Sequence, residues 1–128
     1  MSDSQMSRIL VAIADPSAGM NKAVRRASAL ARATGARLEL FNAIPISVSA
    51  GSEHAAAEHF TRLAVAENKR LLERTANRLR REEMIVDTTV QSGYPVHEAI
   101  LRQIRLTKPD VLVIEARKHN VILAPKHR

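Results

Sequence analysis

The chain has 128 residues, 45% of them hydrophobic, only 2% aromatic, with a formal charge of +7 at pH 7. That length supports one domain with a real core, and the apolar fraction argues against disorder. It has no cysteine, which excludes disulfide frameworks and thiolate metal sites, and no apolar stretch near the ~20 residues that span a bilayer.

The basic balance asks for an anionic partner only weakly. Modules that bind nucleic acid usually add stacking aromatics to their basic face. Here Phe41, Phe60 and Tyr94 are the only aromatics, and no basic motif interleaves with them. The positive charge therefore reads as solvated helix surface, densest from Lys69 to Arg81. The polar start of the chain does not resemble a signal peptide, so a cytoplasmic location is expected.

Residues 1–7 read as a flexible tail, and 8–128 as a single domain. Arg8 to Ala14 is a short apolar run ended by Asp15-Pro16, the pattern of a strand buried on both faces. Ala23, Val24, Ala27, Leu30 and Ala31 then mark one face of a helix, with Gly35 in the position of a C-terminal cap. Leu38 to Ile44 is the second strand, and small polar residues at 46–52 read as a loop. Glu53 to about Glu83 is helical, with Phe60, Leu63, Ala64, Leu71, Leu72, Ala76 and Leu79 as its expected buried stripe. Its length makes a break near 65–68 plausible on the usual range of globular helices. Glu67–Arg70 and Lys69–Glu73 have the spacing of helix-supporting ion pairs.

Ile85 to Val90 is a β-branched third strand. Gly93-Tyr94-Pro95 turns into a helix carrying Val96, Ala99, Ile100 and Ile104, and Asp110 to Ile114 is the fourth strand. This alternation predicts an α/β fold, an open parallel sheet of four to five strands with helices on both faces. Val121 to Pro125 has strand character, but only Arg117 to Asn120 separate it from the fourth strand. A parallel crossover needs about a dozen residues. The segment must fold back antiparallel, pair with another chain, or follow residues absent from this sequence.

Several stretches resemble universal stress protein domains in order and spacing. Ile9 to Asp15 resembles their opening strand and acid, Ser92-Gly93-Tyr94-Pro95 their third-strand exit, and Pro109 to Ile114 their fourth strand. Glu115-Ala116-Arg117-Lys118-His119-Asn120 looks like the first half of UspE-type tandem proteins. The resemblance covers roughly residues 8–125 and implies a Rossmann-like sheet of order 3-2-1-4-5, a stress-response role, and a homodimer formed through the last strand. Nucleotide-binding members carry a Gly-x-x-Gly loop after the fourth strand, whose backbone donors cradle phosphates. This chain has Glu115 to Lys118 there and no glycine after Gly93. It also lacks the usual αβ unit between strands four and five. The expectation is a non-catalytic domain without cofactor that binds an unknown small ligand or a partner protein and does not bind ATP at micromolar levels. The alternatives are a nucleotide-binding protein or weak nucleotide hydrolase, and, less favoured, a basic surface for nucleic acid or anionic lipid.

In open parallel sheets ligands sit at the carboxyl ends of strands where the order reverses, and the strand order implied by the resemblance puts that point between strands one and four. The crevice candidates are Asp15, Ala43, Gly93, Pro95, Glu115 and Arg117. Asp15 and Glu115 end neighbouring strands, and paired carboxylates suit a metal or acid–base work. The plainer reading has Asp15 cap the following turn and Glu115 pair with Arg117 or Lys118. His97 and His119 lack ligand spacing, His54 and His59 are five apart, and neither Ser17 nor Ser92 has a nucleophile context. No catalytic or metal residue is assigned.

Overall fold

The computed structural model describes residues 6–45, 53–115 and 121–123. Its elements are β1 (Arg8–Ala12), α1 (Lys22–Thr34), β2 (Arg37–Ile44), α2 (Glu53–Arg80), β3 (Val86–Ser92), α3 (Val96–Thr107), β4 (Val111–Ile114) and β5 (Val121–Leu123). A short 3₁₀ turn, Pro16–Ala18, links β1 to α1. The sheet order is β3-β2-β1-β4-β5. The first four strands are parallel, with Ile9 opposite Leu38 and Val111, and Leu38 opposite Val86.

The side-chain alternation of β1 explains why helices cover both faces. Ile9, Val11 and Ile13 point to one core with Ala23, Val24, Ala27 and Ala31 of α1 and Leu72, Ala76 and Leu79 of α2. Leu10 and Ala12 point to a second core with Phe41, Ala99 and Leu112, on the α3 side. The run of alanines on α1 lets its backbone approach the strands closely, which few other side chains permit. Asn21 caps α1 by accepting the Val24 N–H at 2.9 Å, and Gly35 ends it at φ 78°, a left-handed conformation that glycine adopts without a Cβ penalty.

The segment after β4 does fold back. β5 pairs antiparallel with β4, Ile114 opposite Val121 and Leu112 opposite Leu123. The parallel sheet is thus four-stranded, and a fifth strand joins it with opposite sense. Residues 116–120, and the loop expected at 46–52, lie outside the described residues.

Helix α2 differs from expectation in three ways. It is unbroken over 28 residues, with no interruption at 65–68. Its first half does not pack as the periodicity suggests: Phe60 is 67% exposed and Leu63 53%, whereas Leu72, Ala76 and Leu79 are buried. And while Arg70 does pair with Glu67 at 2.7 Å, Glu73 pairs with Arg80 at 2.8 Å rather than with Lys69.

That exchange has a cause in the sheet. β3 is an edge strand, and its Ile85 carbonyl accepts from Leu38 N–H, so the strand alternation turns the Val86 and Thr88 carbonyls outward. Arg80 donates twice to the Val86 oxygen, at 2.6 and 3.1 Å, and Lys69 donates to the Thr88 oxygen at 2.6 Å. Glu73 joins the same cluster, accepting from Arg80 and from the Thr88 hydroxyl. The Arg80 contact, followed by the Thr88 hydroxyl, holds the Glu73 carboxyl below its usual range.

Replacing Leu72 by Ala should cost about 2–5 kcal/mol in urea unfolding with an unchanged slope. The same change at Leu63 should stay within about 0.5 kcal/mol. Equal losses at the two positions would show that the first half of α2 packs against something in solution.

Candidate functional site

The strand order reverses between β1 and β4, and a cavity of about 220 Å³ opens at their carboxyl ends. Its floor is Ala12, Ile13 and Ala14 from the end of β1, with Phe41 and Ala43 from β2 and Ile114 from β4. Val96 and Ile100 of α3 close one side, and Glu115 is the only charged residue in the wall among the described residues. A pocket of this kind favours an apolar or flat ring over a charged group.

The chain leaving β1 is held by hydrogen bonds to both neighbouring strands. Ile13 N–H donates to the Phe41 carbonyl at 2.7 Å, continuing the ladder to β2. The Ile13 carbonyl accepts from the side chain of Asn42 at 2.8 Å, and Asn42 in turn accepts from Asn68 of α2 at 2.9 Å. Asn42 is 2% exposed, so this relay satisfies a buried amide that would otherwise be costly. On the other side, one oxygen of Glu115 accepts the N–H of Ala14 at 2.7 Å and, more loosely, that of Asp15 at 3.4 Å.

Of the sequence candidates, Ala43 and Glu115 line the cavity. Asp15 adjoins it through its backbone, but its carboxylate turns away and caps the 3₁₀ turn, accepting from Ser17 N–H at 3.0 Å and Ser17 hydroxyl at 2.6 Å. Glu115 therefore holds backbone donors of residues 14 and 15. Gly93 and Pro95 are not in the wall. Gly93, at φ 105°, and Pro95, at the first cap position, set the start of α3 and thereby place Val96 and Ile100. Arg117, Lys118 and His119 lie outside the described residues. His97 is exposed at the start of α3, and among the described residues no three His, Asp or Glu side chains gather as a metal site. The sequence reading missed Asn42 and Asn68; an asparagine amid the apolar residues of a buried strand was the available signal.

A doubly wound α/β domain with an apolar crevice at its switch point is the class these features define. The profile of the universal stress protein family matches residues 6–123, and the chain belongs to that family. No curated protein matches it. Among solved structures, it is similar to a universal stress protein family member from Burkholderia pseudomallei, at 22% identity and a TM-score of 0.72, over 90% of this chain and 85% of the other. UspA from Lactobacillus plantarum is similar at 17% identity and a TM-score of 0.75, over 91% and 81%. A universal stress protein solved in complex with cAMP is similar at 21% identity and a TM-score of 0.55, over 85% and 71%. No helix among the described residues is long and apolar enough to cross a membrane.

Truncating Glu115 to Ala should free the Ala14 and Asp15 N–H groups and lower stability by about 1 kcal/mol. Hydrogen exchange at Ala14 should quicken in Glu115→Ala and stay near the parent rate in Glu115→Gln, which keeps an acceptor oxygen. Unchanged exchange in the alanine variant would show that this contact does not persist in solution.

Proposed function

We propose that this universal stress protein domain is non-catalytic and acts by binding an uncharged ligand, or an apolar group of a partner protein, in the crevice between β1 and β4. The observation that carries this reading is the Glu115 carboxylate on the Ala14 and Asp15 N–H groups, in a wall whose other described residues have apolar side chains. Phosphate cradles need free backbone donors that approach closely, usually at glycine. Here the donors beside the crevice are already satisfied by an anion, the carboxylate repels a second one, and no glycine follows Gly93 in the sequence.

The relative solved with cAMP favours a second reading, in which the crevice takes a nucleotide. The two differ over phosphate. Adenosine, cAMP and MgATP should be titrated while the amides of Ala12, Ala43 and Glu115 are followed by NMR. The expected result is that phosphates add nothing to any binding of adenosine at these amides. MgATP tighter than adenosine by more than about tenfold, roughly 1.4 kcal/mol, would overturn it.

The location proposed is cytoplasmic, and the run from Glu115 to Asn120 supports kinship with the first half of UspE-type tandem proteins. A homodimer is proposed through β5, since this strand ends the sheet and an uncovered edge invites pairing. Ile122→Lys places a charge in that short strand and should shift the protein toward monomer in light scattering. A stable dimer in this variant would put the interface elsewhere.

A further inference from the structure

A hollow of about 460 Å³, twice the volume of the crevice, lies beside α2. One wall is the turn after β1, including Ser17, Gly19 and Met20. The facing wall is the second half of α2, which presents Arg74, Arg78 and Arg81. The crevice opens next to α3 and the hollow next to α2, so the two sites are separate.

The three arginines stand four and three residues apart, the spacing that brings helix side chains together on one face. Like charges at that spacing weaken a helix. Four nearby carboxylates are held by other cations. Glu67 is bound by Arg70, Glu73 by Arg80, Glu82 by Arg32 and Asp87 by Arg37. Arg74 reaches Glu67 only at longer range, and neither Arg78 nor Arg81 makes an ion pair among the described residues. The C-terminal dipole of α2 favours the cations of its last turn, Arg78 and Arg80, but Arg74 lies a turn earlier and outside its reach. Asp15, the acid next to the loop wall of the hollow, has turned its carboxylate onto Ser17 and is not part of the wall. What remains is a concave site with three guanidinium groups in a row, each a planar multiple donor suited to phosphate oxygens.

We propose that this hollow binds the linked phosphate groups of a small polyphosphorylated compound. Two or three linked phosphates can engage several arginines of one wall at once, which a single phosphate cannot. This goes beyond the crevice reading and does not depend on it. A nucleoside triphosphate held here by its phosphates would leave the amides of Ala43 and Ile114 unmoved, so binding at one site is not mistaken for binding at the other.

The test is a titration of isotope-labelled protein with sodium tripolyphosphate, without divalent metal and at low salt. Shifts are expected at the amides of Ser17, Gly19, Thr75 and Arg78, with weaker binding of orthophosphate. Arg78→Gln should weaken tripolyphosphate binding about tenfold, the loss of one charge-assisted contact. Joint replacement of Arg74, Arg78 and Arg81 by Gln should abolish saturation, while Arg105→Gln on α3 should not. Circular dichroism of each variant checks the fold, and the single variants decide the matter if the triple variant unfolds. Shifts spread evenly over the basic residues of α1 and α3, or Arg78→Gln and the triple variant titrating like the parent, would overturn the proposal. So would short duplex DNA binding this face more tightly than tripolyphosphate at equal phosphate concentration.

Discussion

The backbone of Ile13, Ala14 and Asp15 leaves the sheet under constraint from both neighbouring strands. β2 supplies the Phe41 carbonyl and the Asn42 amide on one side, and the residue after β4 supplies the Glu115 carboxylate on the other. Everything functional hangs from this strand exit. Ile13 and Ala14 form part of the crevice, and four residues of the same loop, Pro16, Ser17, Gly19 and Met20, form a wall of the arginine hollow. One loop therefore partitions two cavities of different chemistry. A shift of its backbone would change both, and Asn68 ties it to α2, the opposite wall of the hollow.

The same region shows how one side chain can reverse the character of a site. Backbone N–H groups at a strand exit are natural anion donors. In this chain an acidic residue of the protein occupies them from within. The Glu115 carboxylate takes the place a ligand anion would seek, leaving a slot whose other described side chains are apolar. Charge of the opposite sign gathers on the α2 side, where Arg74, Arg78 and Arg81 make no ion pair at contact distance among the described residues.

Much of the fold was legible because buried parallel strands announce themselves as solid apolar runs. Ile9 to Ile13 and Val111 to Ile114 could be little else, and the four residues before Val121 are too few for a parallel return. Helix α2 shows the limit. Phe60, Leu63 and Ala64 continue the stripe of Leu72, Ala76 and Leu79 in period, but period does not reveal where the underlying sheet stops. The site was less legible than the fold. Ala43 and Glu115 could be placed from strand ends, whereas the roles of Asn42 and Asn68 depend on two elements meeting across 26 residues of sequence. The arginines of α2 looked like a solvated face interspersed with glutamates. Only the actual pairing, with Glu73 drawn to Arg80 by the edge of β3, shows which cations are left over.

The attachment of α2 to β3 makes the two ends of the sheet unequal. At β3 two outward carbonyls are already occupied by Arg80 and Lys69, and the charged side chains that hold them stand where another strand would dock. At β5 no such side chains intervene among the described residues. Growth of an array through strand pairing requires each subunit to offer two docking edges, one to receive and one to give. A subunit with a single available edge can join only one other in this way, and the two ends then close on each other. If the domain pairs through β5 as proposed, a closed pair is then the expected product rather than a fibre, because Arg80 and Lys69 obstruct the far edge at Val86 and Thr88.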